Sequence, residues 1–335
     1  MDSLSQIALG SAVAVAVMGR RTAVWKAALW GTVAGTLPDL DVLIDHGDPI
    51  LNMVRHRAES HALFYLTLAA PLLAWAVSRW HRETQLFRRW WLALWLALVT
   101  HPLLDAMTVY GTRLLLPFSD HPFGVGSVFI IDPAYTLPLV VGVVAALRMK
   151  DARGRRWNAA GLVLSTAYLG WSVIAQQQAL AVARASLAGQ GIATGQLLAT
   201  PAPFNTVLWR LVAVTPTQHH EAYWSLLDAS PSLRWSTHPR GAELIAQHGD
   251  TQAVARIAAF SQGFYRLGTT PQGRLRITDL RMGQEPDYVF NFDLHPMTSD
   301  AGQAPAVQVS QRPDLGRALP WLWRRIQGID QPLPR

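Results

Sequence analysis

A mainly α-helical, membrane-embedded bundle of about six segments, followed by a small soluble α+β domain, is the fold class that three features of this chain predict. Hydrophobic residues make up 50% of its 335 positions and charged residues only 15%, against about 25% charged in an average soluble domain. Apolar segments recur between short basic clusters at 5–18, 23–37, 62–78, 90–106, 131–148 and 157–178. After about residue 180 the pattern changes, and Pro, Gly, Arg, Asp and His break up the apolar runs. The division is therefore 1–180, membrane-embedded, and 181–335, soluble, as the length allows.

The segments differ in what they can do. A membrane helix needs about 20 apolar residues, with a range of about 17–25. Residues 62–78, 131–148 and 157–178 meet that length, and 90–107 does so with one His and one Asp at its end. Segments 5–18 and 23–37 are short, which suits a re-entrant hairpin or helices tucked inside a bundle. A cleaved signal peptide is not expected, because Asp2 stands where a basic start is needed and Arg20-Arg21 follows the apolar run. Beyond residue 180, stretches 206–214, 221–227, 274–280 and 288–294 read as strands, with helices near 240–261 and a turn at 281–286. The stretch 316–335 is basic and carries Trp321 and Trp323, a composition suited to a membrane surface.

Charge distribution sets the orientation. The formal net charge of +7 would fit a nucleic-acid binder, but its placement points to a bilayer, and no nucleic-acid partner is expected. Arg20, Arg21, Lys26, Arg79, Arg82, Arg88, Arg89, Arg148, Lys150, Arg153, Arg155 and Arg156 occupy one set of loops, whereas the alternate loops hold only Arg55, Arg57 and Arg113. Cytoplasmic loops retain Lys and Arg. With six spans, both the N-terminus and residues 181–335 face the periplasm. The chain has no cysteine, which excludes disulfides, thiolate zinc sites, iron–sulfur clusters and cysteine nucleophiles.

The chemistry concentrates in three motifs. Gly35-Thr-Leu-Pro-Asp-Leu-Asp41 ends the second segment, and Pro38 breaks the helix just before two carboxylates. In an extended or turn backbone Asp39 and Asp41 can point at a common centre, as ligands to Zn, Mn or Mg, or serve as solvated acids of a helix-end turn. His56-Arg57-Ala58-Glu59-Ser60-His61 opens the third segment. A helix start between the two histidines would bring both inward. Arg57 suits a substrate phosphate, and Glu59 is either a general base or a surface charge. His101 and Asp105 share one helix face at i, i+4, and ionisable groups within a membrane segment are functional by default. Thr108, Tyr110 and Thr112 follow as substrate-binding or turn residues. By the loop map, Asp2, Asp39, Asp41, His56, His61, His101 and Asp105 fall near one membrane face. In the second domain His219-His220 are adjacent and alternate faces in a strand, so a shared metal is not expected there.

These motifs, together with the opening Met1-Asp-Ser-Leu-Ser-Gln-Ile-Ala-Leu-Gly10 and Tyr110-Gly-Thr112, resemble the YdjM-like family of LexA-regulated, inner-membrane-associated metal-dependent hydrolases. The resemblance covers roughly residues 1–178 in order. It implies a helical hydrolase distantly similar to zinc-dependent phospholipase C and the fungal single-strand zinc nucleases. It also implies a divalent metal, Zn foremost, with one or more ions held by Asp39, Asp41, His56, His61, His101 and Asp105, and by Asp2 as an additional ligand. Many relatives carry Thr-His where this chain has Ser5-Gln6.

Two functional classes follow. The first is a hydrolase at the outer membrane face, in which metal-activated water attacks a phosphoester or other ester of a lipid or envelope-derived substrate. The second is a membrane scaffold with a structural metal and a partner-binding periplasmic domain. Six or seven Asp-rich ligands favour a multi-metal or open site over a closed four-ligand one. A proton or ion transporter fits less well, because the ionisable groups gather at one face instead of crossing the bilayer.

Overall fold

The computed structural model describes residues 1–193, 195–230, 232–294, 306–311 and 314–333. The chain is mostly helical, with two antiparallel sheets near its C-terminal end. It forms two compact units. The first comprises Met1–Ile44, His56–Val173 and Pro203–Asn205; the second comprises Asp45–Arg55, Ile174–Ala202 and Thr206–Arg335.

In the first unit, helices α1 (Ser3–Met18) and α2 (Val24–Thr36) pack tightly. Glycine permits this: a Cβ on Gly10 would stand 2.2 Å from the Gly31 carbonyl oxygen, and one on Gly35 would stand 2.7 Å from that of Gln6. Asp2 caps α1 by accepting from Leu4 N (3.0 Å) and Ser5 N (3.2 Å), which satisfies donors that a helix start leaves open. Helices α4 (Leu63–Trp80) and α5 (Phe87–Asp105) pack as neighbours, and α5 also contacts α1 and α2. Their core holds Ala14, Val15, Met18, Ala70, Ala74, Val77, Trp90, Leu94 and Leu98. Helix α6 (Pro133–Met149) starts at Pro133 with Asp132 as its cap, and α7 (Ala152–Gly189) follows, its residues through Val173 lying in this unit.

Each of the six expected apolar segments is thus a helix. The lengths support only part of the expected six crossings. Among the described residues only Leu63–Trp80 and Ala152–Gly189 are long and apolar enough to cross a membrane. Ser3–Met18 and Pro133–Met149 are shorter apolar helices. The 13 residues of α2 rise only about 20 Å, short of the roughly 30 Å hydrocarbon core. Helix α5 has 19 residues but includes Arg88, Arg89, His101 and Asp105, and these lower its hydropathy.

The second unit contains α3 (Pro49–Arg55), the end of α7, and two four-stranded antiparallel sheets. The first sheet is β1 (Gln196–Pro201), β2 (Leu208–Val214), β3 (Gln218–Ser225) and β4 (Ser236–Pro239), in that order. Helices α8 (Ala242–His248) and α9 (Gln252–Phe260) lead to the second sheet. That sheet is β5 (Tyr265–Thr269), β6 (Leu275–Asp279), β7 (Asn291–Leu294) and β8 (Val307–Gln308). Four strands coincide with those read from the sequence, and α8 and α9 occupy the helical stretch expected there. Val212, Val214, Phe264, Leu280 and Tyr288 form a core between the sheets. Arg210 is buried there, bonding Glu221 Oε1 at 2.7 Å and the Leu280 carbonyl at 2.9 Å. Helix α10 (Leu315–Ile326) turns Trp321 inward and leaves Trp323 exposed.

Candidate metal centre

Helix ends build the site. Asp39 sits in a 3₁₀ turn (Pro38–Leu43) directly after α2. His61 ends a short 3₁₀ turn (Glu59–His61) just before α4. His101 and Asp105 lie in the last turns of α5. In an up-and-down arrangement these ends meet, together with the start of α1. The basic clusters around Arg20, Arg82 and Lys150 lie at the opposite helix ends.

The four side chains offer ligand atoms that all lie within 4.8 Å of one another. The two imidazole Nε2 atoms are 3.1 Å apart. His61 Nε2 is 3.4 Å from Asp39 Oδ1 and 3.3 Å from Asp105 Oδ2. His101 Nε2 is 3.4 Å from each of the same two oxygens. A tetrahedron whose vertices stand about 2.0–2.1 Å from its centre, the Zn–N and Zn–O bond length, has edges of about 3.3–3.4 Å. The four imidazole–carboxylate spacings match that figure, and the two Nε2 atoms stand slightly closer.

Outer partners fix which lone pairs face inward. His101 Nδ1 is 2.6 Å from the Gly35 carbonyl, which can only accept, so Nδ1 carries the hydrogen. Ser60 Oγ donates to Asp41 Oδ2 at 2.6 Å and must therefore accept from His61 Nδ1, 2.8 Å away. In their neutral forms both imidazoles then aim an Nε2 lone pair at two carboxylate oxygens. Asp105 Oδ2 is buried, with Arg57 Nε 3.2 Å away and the two imidazole Nε2 atoms at 3.3 and 3.4 Å. With both imidazoles neutral, four acceptors converge in this space and repel one another unless a cation lies among them; a proton on one imidazole relieves the same repulsion when the centre is empty. The donor set therefore fits a divalent metal.

The charge around the cluster is balanced. Asp105 Oδ1 accepts from the Met1 ammonium and, at 3.1 Å, from Gln6 Nε2. Arg57 Nε is 3.2 Å from Asp105 Oδ2, its Nη1 donates to Thr108 Oγ1 at 3.2 Å, and its guanidinium lies 4.9 Å over the Tyr110 ring. Arg57 holds a left-handed backbone, φ +64°, which costs a non-glycine residue energy and tends to mark functional sites. The side chains of His61, His101 and Asp105 are fully buried, while Asp39 is 27% exposed. The cluster thus opens on the Asp39 side.

Of the seven expected ligands, the structure groups Asp39, His61, His101 and Asp105, and the other three stand apart. Asp41 and His56 bond each other at 2.8 Å. Burial pushes the Asp41 carboxyl up, but hydrogen bonds from His56, Ser60 and the Arg57 N–H outweigh it and hold the group below its ordinary range. Asp39 and Asp41 diverge because successive side chains of a 3₁₀ turn are rotated by about 120°. Asp2 is occupied as the α1 cap. A group of four also removes the ligand-count argument for several ions. Arg57 is buried against Asp105 and is not free to meet a substrate phosphate, and Glu59 is exposed. Met1, Gln6 and the Gly35 carbonyl were not legible as site groups. In the second unit His219 stacks on His238, with ring centroids 5.3 Å apart, whereas His220 bonds Thr237 Oγ1 at 2.9 Å. The adjacent pair shares no centre.

A helical unit whose helix ends close on a buried two-histidine, two-aspartate cluster defines a membrane-associated protein with a candidate metal centre. The chain belongs to the YdjM inner membrane protein family, whose profile matches residues 1–179 and so spans all four grouped side chains. It is similar to the inner membrane protein YbcI of Escherichia coli strain K12, with 34% identity over 96 residues, or 28% of this chain. That match spans 54% of the length of the relative. No solved structure matches.

Proposed function

We propose that this inner membrane protein is a metal-dependent hydrolase acting on a phosphoester or other ester of a lipid or envelope-derived substrate. The observation that carries the reading is the convergence of the buried His61 Nε2, His101 Nε2 and Asp105 Oδ2 with Asp39 Oδ1 on the exposed rim, which leaves the centre accessible on one side instead of closed by four buried ligands, with both tautomers set from outside. Mixed imidazole and carboxylate ligands favour Zn over Mg or Mn. A divalent ion held there supplies Lewis acidity toward an ester oxygen and toward water.

The chain's own residues do the rest. His61, His101 and Asp105 bind from the buried side. Asp39 binds from the accessible rim, where substrate and water arrive. Arg57 offsets carboxylate charge beside Asp105. Gly35 and the Ser60–Asp41 relay hold the imidazoles in their ligating tautomers. We place the cluster at the periplasmic face, on the asymmetry of the basic loops, with the second unit also periplasmic. Of the six helices, those too short to cross are read as packed inside the bundle.

The test is hydrolysis of bis(p-nitrophenyl) phosphate and of a phosphatidylglycerol substrate by the full chain reconstituted in vesicles, before and after chelation. Activity that disappears with chelator, returns with Zn and is absent from His61→Ala supports the hydrolase. A wild-type protein that binds Zn stoichiometrically but turns over neither substrate contradicts it and leaves a structural metal site in a scaffold.

A further inference from the structure

The end of the first unit opposite the metal cluster carries a second feature. There the connection from α1 to α2 and the connection from α6 to α7 border a cleft of about 570 Å³, lined by Arg20, Thr22, Trp25, Lys150, Asp151 and Arg155. That volume is in the range of small-molecule sites, about 300–1,000 Å³.

The charge in this cleft is unspent. Among the described residues Arg20, Lys150 and Arg155 make no ion pair, while nearby Lys26 is taken by Glu83 at 2.7 Å. The single carboxylate on the lining is also taken. Asp151 Oδ1 accepts from Arg153 N at 2.8 Å and Gly154 N at 3.0 Å, capping α7. Helix α2 begins at the same place, and its cap residue, Ala23, offers no side-chain acceptor, so the positive end of the helix dipole adds to the three cations. Trp25 is 53% exposed beside them, the amphipathic ring typical of headgroup depth.

We propose that this cleft binds the phosphoryl group of an anionic ligand, at headgroup depth on the basic face of the membrane. Arg20 and Arg155 supply planar donors for phosphate oxygens, and Lys150 supplies a point charge. Two sources share that chemistry, an anionic phospholipid and a free phosphate. Basic pockets between membrane helices on the basic side take lipid headgroups, and the neighbouring Trp25 favours the lipid. The site is separate from the metal cluster and requires neither metal nor hydrolysis.

The experiment is native mass spectrometry of the full chain in detergent, titrated with phosphatidylglycerol, phosphatidylcholine or inorganic phosphate. Phosphatidylglycerol should bind more tightly than phosphatidylcholine. At about fivefold per charge, Lys150→Gln should weaken it roughly fivefold and Arg20→Gln/Arg155→Gln roughly thirtyfold. Arg88→Gln/Arg89→Gln removes the same charge from another exposed part of the basic face and should change little. An unaltered melting temperature in the Arg20→Gln/Arg155→Gln protein shows that the fold is intact. Saturation by inorganic phosphate alone, lost in the same variant, assigns the cleft to a soluble phosphate, whereas a requirement for the lipid assigns it to a headgroup. Equal binding of phosphatidylglycerol and phosphatidylcholine without phosphate binding overturns the proposal, as does an equal loss in Arg88→Gln/Arg89→Gln.

Discussion

Four buried histidines fall into two pairs with opposite behaviour. His61 and His101 are 40 residues apart in the chain, yet their Nε2 atoms stand 3.1 Å from each other. His219 and His220 are neighbours, yet one stacks on His238 and the other bonds Thr237. All four are buried, so burial does not distinguish them. The difference lies in the outer bonds. The Gly35 carbonyl and Ser60 occupy the Nδ1 atoms of the first pair and leave two lone pairs aimed inward. In the second unit neither ring nitrogen of His219 has a hydrogen-bond partner, and Glu285 Oε2 lies 3.6 Å away. Burial holds His219 below the ordinary histidine range. A histidine becomes a ligand when its second nitrogen is engaged and its first faces other donors.

This contrast can be broken at three points. The largest effect is expected at Arg57. Replacing it with Met leaves Asp105 short of a buried counter-charge, and losing one partner of a buried pair costs about 3–5 kcal/mol. Thermal unfolding of the apo protein should fall accordingly, and addition of Zn should recover part of the loss.

A smaller effect is expected at Ser60. Ser60→Ala removes the acceptor that holds His61 in its ligating tautomer while leaving the four ligands in place. Loss of such an outer partner lowers metal affinity by about 10–100-fold. Competition with a fluorescent chelator would measure this. An unchanged affinity would show that Ser60 does not set the tautomer.

The smallest effect belongs to the second unit and concerns pH. His219 is neutral when folded, with its pKa held below 6.5. Its contribution is present above the unfolded value and is lost as pH falls from about 6.5 through the folded pKa, because the unfolded chain then binds the extra proton. The slope for one proton is at most about 1.4 kcal/mol per pH unit. Amide exchange of β3 should therefore accelerate as pH drops below 6.5, after correction for intrinsic rates. His219→Gln should flatten that dependence.

The sequence shows much of this site and misses parts of it for identifiable reasons. The pairing of His101 with Asp105 follows from helix period alone, and Asp39 and His61 follow from their places at segment ends. Asp41 and His56 are the same residue types in the same motifs, but a 3₁₀ turn and the left-handed Arg57 rotate them toward each other. Arg57 reads as a free cation until α5 brings Asp105 to within 3.2 Å. The six helices were legible from apolar runs, and the short runs 5–18 and 23–37 closely match α1 and α2. Strands β2, β3, β6 and β7 showed alternation or continuous apolar runs. Strand β4, Ser-Thr-His-Pro, has neither signal and pairs only because β3 lies beside it.

Metal content of the purified full chain tests the central claim most directly. Wild type, His101→Ala, Asp105→Asn and the double variant would be exposed to Zn, desalted and assayed for metal per chain together with melting temperature. Asp105→Asn removes a charge at nearly constant volume, so the helix should insert at least as well, yet a neutral amide is a poor ligand. The account predicts bound metal in the wild type, a sharp loss in each single variant, and a double variant little worse than either, because one site is lost once. Equal metal in all four proteins, or a wild type that takes up none, would contradict it.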